Sequence, residues 1–557
     1  MKIKILLVLI VVYPLFFLFQ GGDLTDVGFH STNYRFFKDF LNDGKFDFLM
    51  VALTNFIGYY WLLLFPSAGI LGLKLLYLFF LYGTLYLSWL ILKLYSNNSA
   101  VILFGLFFGE VFVTRYTPFV FSYDIASWFF LTFSILFFLN SFKKESLFFA
   151  FLSGGFIALA ALCRTPSIAS ISIGLLYFTS GNVMSRKKKW KFFFYFIVGL
   201  SSVVVLFFSS LISVFNLSAI LSLYEKSSLQ SGSANILLSF YKYFVEFFVF
   251  SICIFGVACF FYLYQNSSLK LNKKMKMFWL LILLSVITVS YFNFPLLNYN
   301  SQKVFSYSSN LKFIVPVFVF FPIFFTFYHQ DKQRVLILSV VLCGLAQVLG
   351  TNTGLFLKLC FGCLLLIPMA VIYVYDYRDI EKNKLFKGKK LFFVTSLYLI
   401  LGLSILTRFG WIYHVESGIN ARAKCLDKIN HPKMMGVLTN YRNAKIIENS
   451  LVLNKLKQEK LLVYGHQPLL YYLSDKQPAI TPYWLKNNLV GLSQLFKKLN
   501  SLEKLPIIID TKENIFGYKG QSKLQQFLVL NNYILKNKSN YGDIWVPDIS
   551  KFIIRRN

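Results

Sequence analysis

The chain has 557 residues, 57% of them hydrophobic and 14% charged, with a formal net charge of +32 and a mean hydropathy of +0.60. That apolar excess excludes an ordinary water-soluble domain, because apolar runs of about 20 residues read as membrane spans. The positive balance is a topology signal and not a nucleic-acid footprint, since much of it sits in short loops of the kind that stay on the cytoplasmic face.

Reading from the N-terminus, MKIK and the apolar run to Phe19 resemble a signal peptide, but no small-residue cleavage site follows. The run is therefore read as a retained first span. Spans are expected at 4–20, 70–94, 100–117, 124–141, 147–164, 167–181, 192–214, 241–265, 278–295, 311–329, 335–350, 354–376 and 391–409, about thirteen in all. The basic clusters Lys143–Lys144, Arg186–Lys191, Lys270–Lys276, Lys332–Arg334 and Arg378–Lys390 then share one side, which fixes the N-terminus inside and the C-terminus outside. Phe48 to Pro66 is apolar but carries Thr54, Asn55 and Gly58. Counting it as a span would expel the Arg186 cluster, so it is expected to lie as a helix in the outer interface.

Seven cysteines make no disulfide framework: six fall in expected spans and Cys425 stands alone outside. Cys360 and Cys363 have redox or zinc spacing, but in an apolar helix they read as small packing residues. After Arg408 the chain turns mixed polar. KLLVYGH (460–466), LPIIID (505–510) and DIWVP (543–547) read as strands among segments compatible with helices. The expected architecture is a polytopic α-helical membrane protein over 1–409 with a C-terminal extracytoplasmic α/β domain over 410–557.

Ionisable groups at span ends and in outer loops are the candidates for chemistry, because burying them is costly. The first outer loop carries Asp23, Asp26, Asp39, Asp43 and Asp47, the last three beside Lys38 and Lys45 as on a solvated helix face. Asp23 and Asp26 follow the first span directly, and His30 lies four residues beyond Asp26. Asp124 opens the fourth span after Tyr123, where capping a helix competes with a functional role. Two carboxylates at one bundle mouth suit a general base and a cation-binding or positioning group. Arg115 and Arg164 also map to outer span ends, placed either for phosphate recognition or for snorkelling to headgroups. Glu110 and Glu246 are further buried acids without an assigned role. The five histidines show no metal-ligand spacing, and no Walker, GxSxG or HExxH pattern occurs.

The order of one span, an acidic outer loop, an interfacial apolar segment, a span pair and a second loop ending in Tyr-Asp resembles the membrane-embedded glycosyltransferases of the GT-C class. The pattern is close to that of the bacterial lipid A aminoarabinose transferases and protein O-mannosyltransferases. DVGFH (26–30), LTNFIGYYWLLLFPSAGILGLKLLYLFF (53–80), YDIASWFFLTFSILFF (123–138), LCRTPS (162–167) and LVYGHQPLLYYLSDKQP (462–478) carry the likeness. It covers about the first 180 residues and the C-terminal domain in outline. The chain departs from many relatives in having Val27 after Asp26 where they have Glu.

The resemblance implies inverting transfer of a sugar from a polyprenyl-phosphate donor to an acceptor on the extracytoplasmic face of the cell membrane, with no nucleotide site. Asp26, Asp124 and Asp23 are the catalytic candidates it implies. Arg115, Arg164, Lys303, Lys312 and His30 are the substrate-binding ones. A divalent cation held by the loop carboxylates is allowed but not demanded. Two other classes compete: a polysaccharide polymerase or ligase, expected to carry a large arginine-rich loop between spans, and a transporter, expected to show related halves.

Overall fold

Where water is absent, a chain pairs its backbone N–H and C=O groups within its own segment, so long apolar runs become helices. The computed structural model describes residues 2–42, 50–116, 119–179, 185–214, 331–347, 360–376, 421–481, 483–485, 491–513 and 516–548. The expected spans at 241–265, 278–295, 311–329 and 391–409, the division at 409–410, and Lys303, Lys312 and Glu246 lie outside the described residues.

The helical part comprises α1 (Lys2–Leu15), α2 (Asp26–Arg35), α3 (Phe37–Asn42), α4 (Ala52–Leu64), α5 (Gly69–Leu92), α6 (Ser99–Tyr116), α7 (Tyr123–Lys144) and α8 (Leu147–Cys163). A 3₁₀ segment (Thr165–Leu175) leads into α9 (Leu176–Thr179), followed by α10 (Arg186–Val214), α11 (Asp331–Ala346) and α12 (Cys363–Asp376). Among the described residues, Pro66–Leu92, Tyr123–Lys144 and Arg186–Ser210 are long and apolar enough to cross a membrane, and shorter apolar helices accompany them. Large apolar side chains such as Val8, Phe79, Phe194 and Leu206 point outward, a surface suited to lipid and not to water.

Two expected spans take a different form. α1 stops at Leu15, and Phe16, Phe17 and Leu18 close three-residue turns onto Tyr13, Pro14 and Leu15. Pro14 lacks an N–H and crowds the preceding turn. The expected span at 167–181 is mostly 3₁₀ helix. A 3₁₀ helix rises about 2.0 Å per residue against about 1.5 Å in an α-helix, so this short segment covers ~28 Å, close to the hydrocarbon thickness. Its two ends fit that length. Ser167 accepts a bond from Gln347 beside the start of α7, and Tyr177 meets Ser141 near the end of α7 at 2.9 Å.

The helices approach closely through glycine. A Cβ on Gly154 of α8 or Gly199 of α10 would overlap a backbone carbonyl of the opposite helix, that of Phe196 or Phe151. Such small-residue crossings let membrane helices pack backbone to backbone. α4, with 13 residues, is only ~20 Å long and faces two ways. Thr54, Asn55 and Gly58 are buried against the protein, while Phe56, Tyr60, Leu63 and Leu64 are exposed.

The C-terminal part forms a short ribbon and one sheet. β1 (Asp427–Lys428) and β2 (Leu438–Thr439) pair antiparallel, and Gln20 bridges to Leu438. β3 (Lys460–Tyr464), β4 (Gln477–Pro478), β5 (Ile507–Asp510), β6 (Tyr533–Asn537) and β7 (Asp543–Pro547) make a five-stranded sheet in the order β4-β3-β5-β7-β6. β4, β3 and β5 are parallel, and β7 runs antiparallel to both β5 and β6. Around the sheet lie α13 (Tyr441–Asn454), α14 (Leu469–Ser474), α15 (Leu492–Asn500) and α16 (Gly517–Leu530).

Alternation along the strands assigns the two faces. Leu461, Val463, Ile507 and Ile509 join the core shared with the helical part, whereas Leu462, Tyr464 and Ile508 pack in a second core with Leu495, Leu524 and Phe527 of α15 and α16. The sheet is thus packed onto the helical bundle. The contact is close at Gly28 of α2, where an added Cβ would overlap the backbone of Leu469 in α14. Leu469 N–H donates to Leu24 O at 3.1 Å, and the Thr32 hydroxyl donates to Pro468 O at 3.0 Å.

Candidate active site

α2 begins where Asp23 ties down its first turn. Asp23 Oδ2 accepts the Val27 N–H at 3.1 Å and Oδ1 accepts the Thr25 hydroxyl at 2.8 Å. These are the bonds of a helix-capping carboxylate, and Asp23 is buried. Asp26 occupies the first turn itself and is partly buried. One turn on, the buried His30 lies edge-on to Tyr123 and stacks near Tyr34. The Tyr34 hydroxyl donates to Phe121 O at 2.9 Å, fastening α2 to the loop before α7. Burial pushes the Tyr34 phenol well above its usual pKa, with smaller contributions from Tyr123 and Cys163, which keeps it a neutral donor.

Asp124 stands in the first turn of α7. Its Oδ1 lies 3.5 Å from Nη1 of Arg164, the residue that caps the end of α8. Arg164 is buried, and its guanidinium lies over the Tyr123 ring at 5.7 Å. Nη1 donates to Gln347 Oε1 at 2.6 Å, and the Gln347 amide donates to Ser167 Oγ at 2.6 Å. The Ser127 hydroxyl donates to the same Gln347 oxygen at 3.2 Å. Arg164 Nη2 is buried without a hydrogen-bond partner. Arg164 thus joins Asp124 to the Tyr123 ring, which His30 of α2 meets edge-on.

Helix direction supports the same grouping. The start of α7, the end of α8 and the end of α11 meet around Arg164, while Glu145 after α7 pairs with Lys188 of α10 at the far end. The basic residues at 143–144 and 186–191 therefore share the end opposite the carboxylates, as the loop charges require.

Of the residues singled out from sequence, Asp124, Arg164 and His30 come together around Tyr123, Asp26 lies one turn before His30 on α2, and Asp23 serves the start of α2. Arg115 lies at the end of α6 by its backbone, with a side chain outside the described set. Sequence reasoning missed Gln347, Tyr34, Ser127 and Ser167. Gln347 had a readable signal, being an amide at the end of an apolar run. Among the described residues no three His, Cys, Asp or Glu side chains gather as a cation site. The Arg164 guanidinium stands beside Asp124.

No family model matches the chain, and no curated protein is similar to it. Among solved structures it is similar to the archaeal oligosaccharyltransferase AglB from Archaeoglobus fulgidus in complex with an inhibitory peptide and a dolichol-phosphate. That likeness has 11% identity and a TM-score of 0.47, and covers 98% of this chain and 74% of that chain. It is also similar to the Archaeoglobus fulgidus oligosaccharyltransferase tethered with an acceptor peptide, at 13% identity and TM-score 0.44, over 90% of this chain and 66% of that one. The side chains themselves, and not these likenesses, carry the functional reading.

Proposed function

We propose that the chain is a membrane glycosyltransferase that transfers a sugar from a polyprenyl-phosphate donor to an acceptor on the extracytoplasmic face, with inversion. The observation that carries this reading is Arg164. A buried guanidinium is costly unless its nitrogens are paired, yet Nη2 has no hydrogen-bond partner while Nη1 is held by Gln347. A phosphate oxygen supplies the acceptor that Nη2 lacks, and the planar fork suits that geometry.

The chemistry then divides among named groups. Asp26, partly buried in the first turn of α2, accepts the proton of the acceptor hydroxyl. The new oxygen–C1 bond forms as the C1–phosphate oxygen bond breaks, and the departing polyprenyl phosphate keeps its electron pair beside Arg164. Asp124 holds the guanidinium from its other side and positions the acceptor. Gln347 fixes the orientation of Arg164.

The test is transfer by wild-type and Asp26→Asn, Asp124→Asn and Asp23→Asn membranes supplied with a polyprenyl-phosphate sugar. The reading expects large losses for Asp26 and Asp124 and a small one for Asp23. Near-normal turnover in both of the first two variants rejects it.

A further inference from the structure

Far from Arg164 in sequence, the sheet contains an arrangement that the transfer site does not use. β3 and β5 are parallel neighbours, but their onward connections diverge: α14 carries the chain from β3 to β4 at one side, and α16 carries it from β5 to β6 at the other. In open α/β sheets, the carboxyl ends of strands whose connections part in this way flank a crevice where ligands bind.

The residues at these two strand ends are polar and unevenly satisfied. After β3 come Gly465, His466 and Gln467; after β5 come Thr511, Lys512 and Glu513. Glu513 accepts the His466 N–H, the Gln467 amide and the Thr511 hydroxyl, which knots the two ends together. Asp510 accepts the Lys512 N–H and the Gln521 amide from the first turns of α16. Lys512 holds a left-handed φ of 58°, a conformation that costs a non-glycine residue energy and collects at functional loops. Within this ordered edge two buried polar atoms have no hydrogen-bond partner: Gln467 Oε1, and the hydroxyl of Tyr464, the last residue of β3. Both residues are 2% exposed. The Tyr464 hydroxyl sits at the first turn of α16, 2.8 Å from where a Cβ on Gly520 would stand.

We propose that the carboxyl ends of β3 and β5 form a second binding site, specific for a neutral polyhydroxylated ligand of the glycan class. Charge decides against an anion. The start of α16 would favour one, but the Asp510 carboxylate already occupies that end through Gln521, Glu513 lies alongside, and the Lys512 ammonium is taken up by Asp543 at 3.1 Å. A carboxylate offers about four lone-pair sites, so Asp510 and Glu513 retain acceptor capacity for hydroxyl donors. Gln467 Oε1 adds an acceptor, and Tyr464 can donate or accept. The first turn of α16 also carries Tyr518, 90% exposed, an aromatic face of the kind that sugars stack on.

The position suits an acceptor. Gln467 is followed directly by Pro468, hydrogen-bonded to Thr32 of α2, and Leu469, hydrogen-bonded to Leu24 just before α2, so a glycan held here lies on the segment that docks against the helix bearing Asp26. Naming this glycan the acceptor rests on the glycosyl-transfer reading; its binding does not.

The experiment uses the full-length protein in lipid nanodiscs, with saturation-transfer NMR against reducing tetrasaccharides of glucose, mannose, galactose and N-acetylglucosamine. Saturable transfer to at least one is expected. Tyr464→Phe separates binding from architecture. Removing a buried hydroxyl that has no partner leaves thermal stability unchanged or raised, whereas losing one ligand hydrogen bond weakens the tetrasaccharide by about tenfold. Asp26→Asn is expected to keep tetrasaccharide binding while transfer is lost, so failure of one reading is visible apart from failure of the other. No saturable binding to any tetrasaccharide, unchanged binding in a stable Tyr464→Phe protein, or binding of spermidine or inorganic phosphate in place of sugar overturns the proposal.

Discussion

Two ionic groups sit on either side of α2, and they are built differently. At the bundle mouth, Arg164 and Asp124 are 3.5 Å apart with side chains 4% and 19% exposed, and one guanidinium nitrogen is left over. At the far end of α2, Asp475 is gripped from two sides, by Arg35 Nε at 2.7 Å and Lys433 Nζ at 2.5 Å, with nearly half of its side chain exposed. Lys433 also donates to Tyr472 O at 2.7 Å, and its N–H donates to His431 Nδ1 at 3.2 Å. Burial, with Lys433 adding to it against Asp475, lowers His431 to about 4, so the ring is neutral and free to accept. Both oxygens of the Asp475 carboxylate are paired, whereas the Arg164 guanidinium keeps one nitrogen without a hydrogen-bond partner. A buried charge with unfilled hydrogen-bonding capacity points to a substrate, and a paired, half-exposed carboxylate points to docking.

The largest effect should fall at the mouth. Asp26→Asn keeps the shape of the carboxylate but cannot take a proton, and is expected to lower the transfer rate by roughly 10²–10⁴, measured with saturating donor in membranes. Asp23→Asn, which keeps an oxygen for capping, should cost little in rate and at most about 1 kcal/mol in stability. The reverse pattern would move the base three residues upstream.

Arg164→Lys comes next. A single ammonium cannot hold Gln347 and a phosphate in the planar, two-pronged manner of a guanidinium. The apparent KM for donor should rise by about tenfold or more, with kcat changing less. Equal donor saturation in mutant and wild type would assign Arg164 to structure alone.

At the docking side the expected effects are on stability. Gly28→Ala forces a methyl into the Leu469 backbone and should destabilise the protein by about 1–3 kcal/mol, seen as a lowered thermal midpoint. Smallest is Asp475→Asn, because partly exposed pairs contribute about 0–1 kcal/mol. For Asp475, burial raises the pKa, but hydrogen bonds and charge from Lys433 and Arg35 outweigh it and hold the carboxyl below its usual value. Burial also lowers Lys433 despite its partner, so the two shifts oppose each other in stability. A carboxyl held below its unfolded pKa of about 3.9 contributes fully above that pH and loses its contribution as pH falls through the folded value. Asp475→Asn should therefore narrow its stability gap from wild type below about pH 4. A gap that widens on acidification would show that the clamp does not depend on ionised Asp475.

Much of the architecture could be read from residues alone, because it follows from local energetics. Unpaired backbone is intolerable in hydrocarbon, so the apolar runs that became α5, α7 and α10 had to be helices; among the described basic clusters, 143–144 and 186–191 lie at one end. KLLVY, IIID and DIWVP became β3, β5 and β7 for the same local reason: branched and aromatic residues suit a half-buried pleat. Asp26, Asp124 and Arg164 were legible as ionisable groups at span ends. Which of them would meet was not. The pairing of Asp124 with Arg164, the link of Arg164 to Gln347 at the end of a helix 183 residues away, and the capping role that sets Asp23 apart from Asp26 depend on how helices distant in sequence pack. The same holds for the 3₁₀ course of Thr165–Leu175, fixed by the distance it has to cover, and for the divergence of connections at β3 and β5. Sequence determined which groups were too costly to bury unpaired; only tertiary packing decided which partners they found, because those partners come from segments that no local preference brings together.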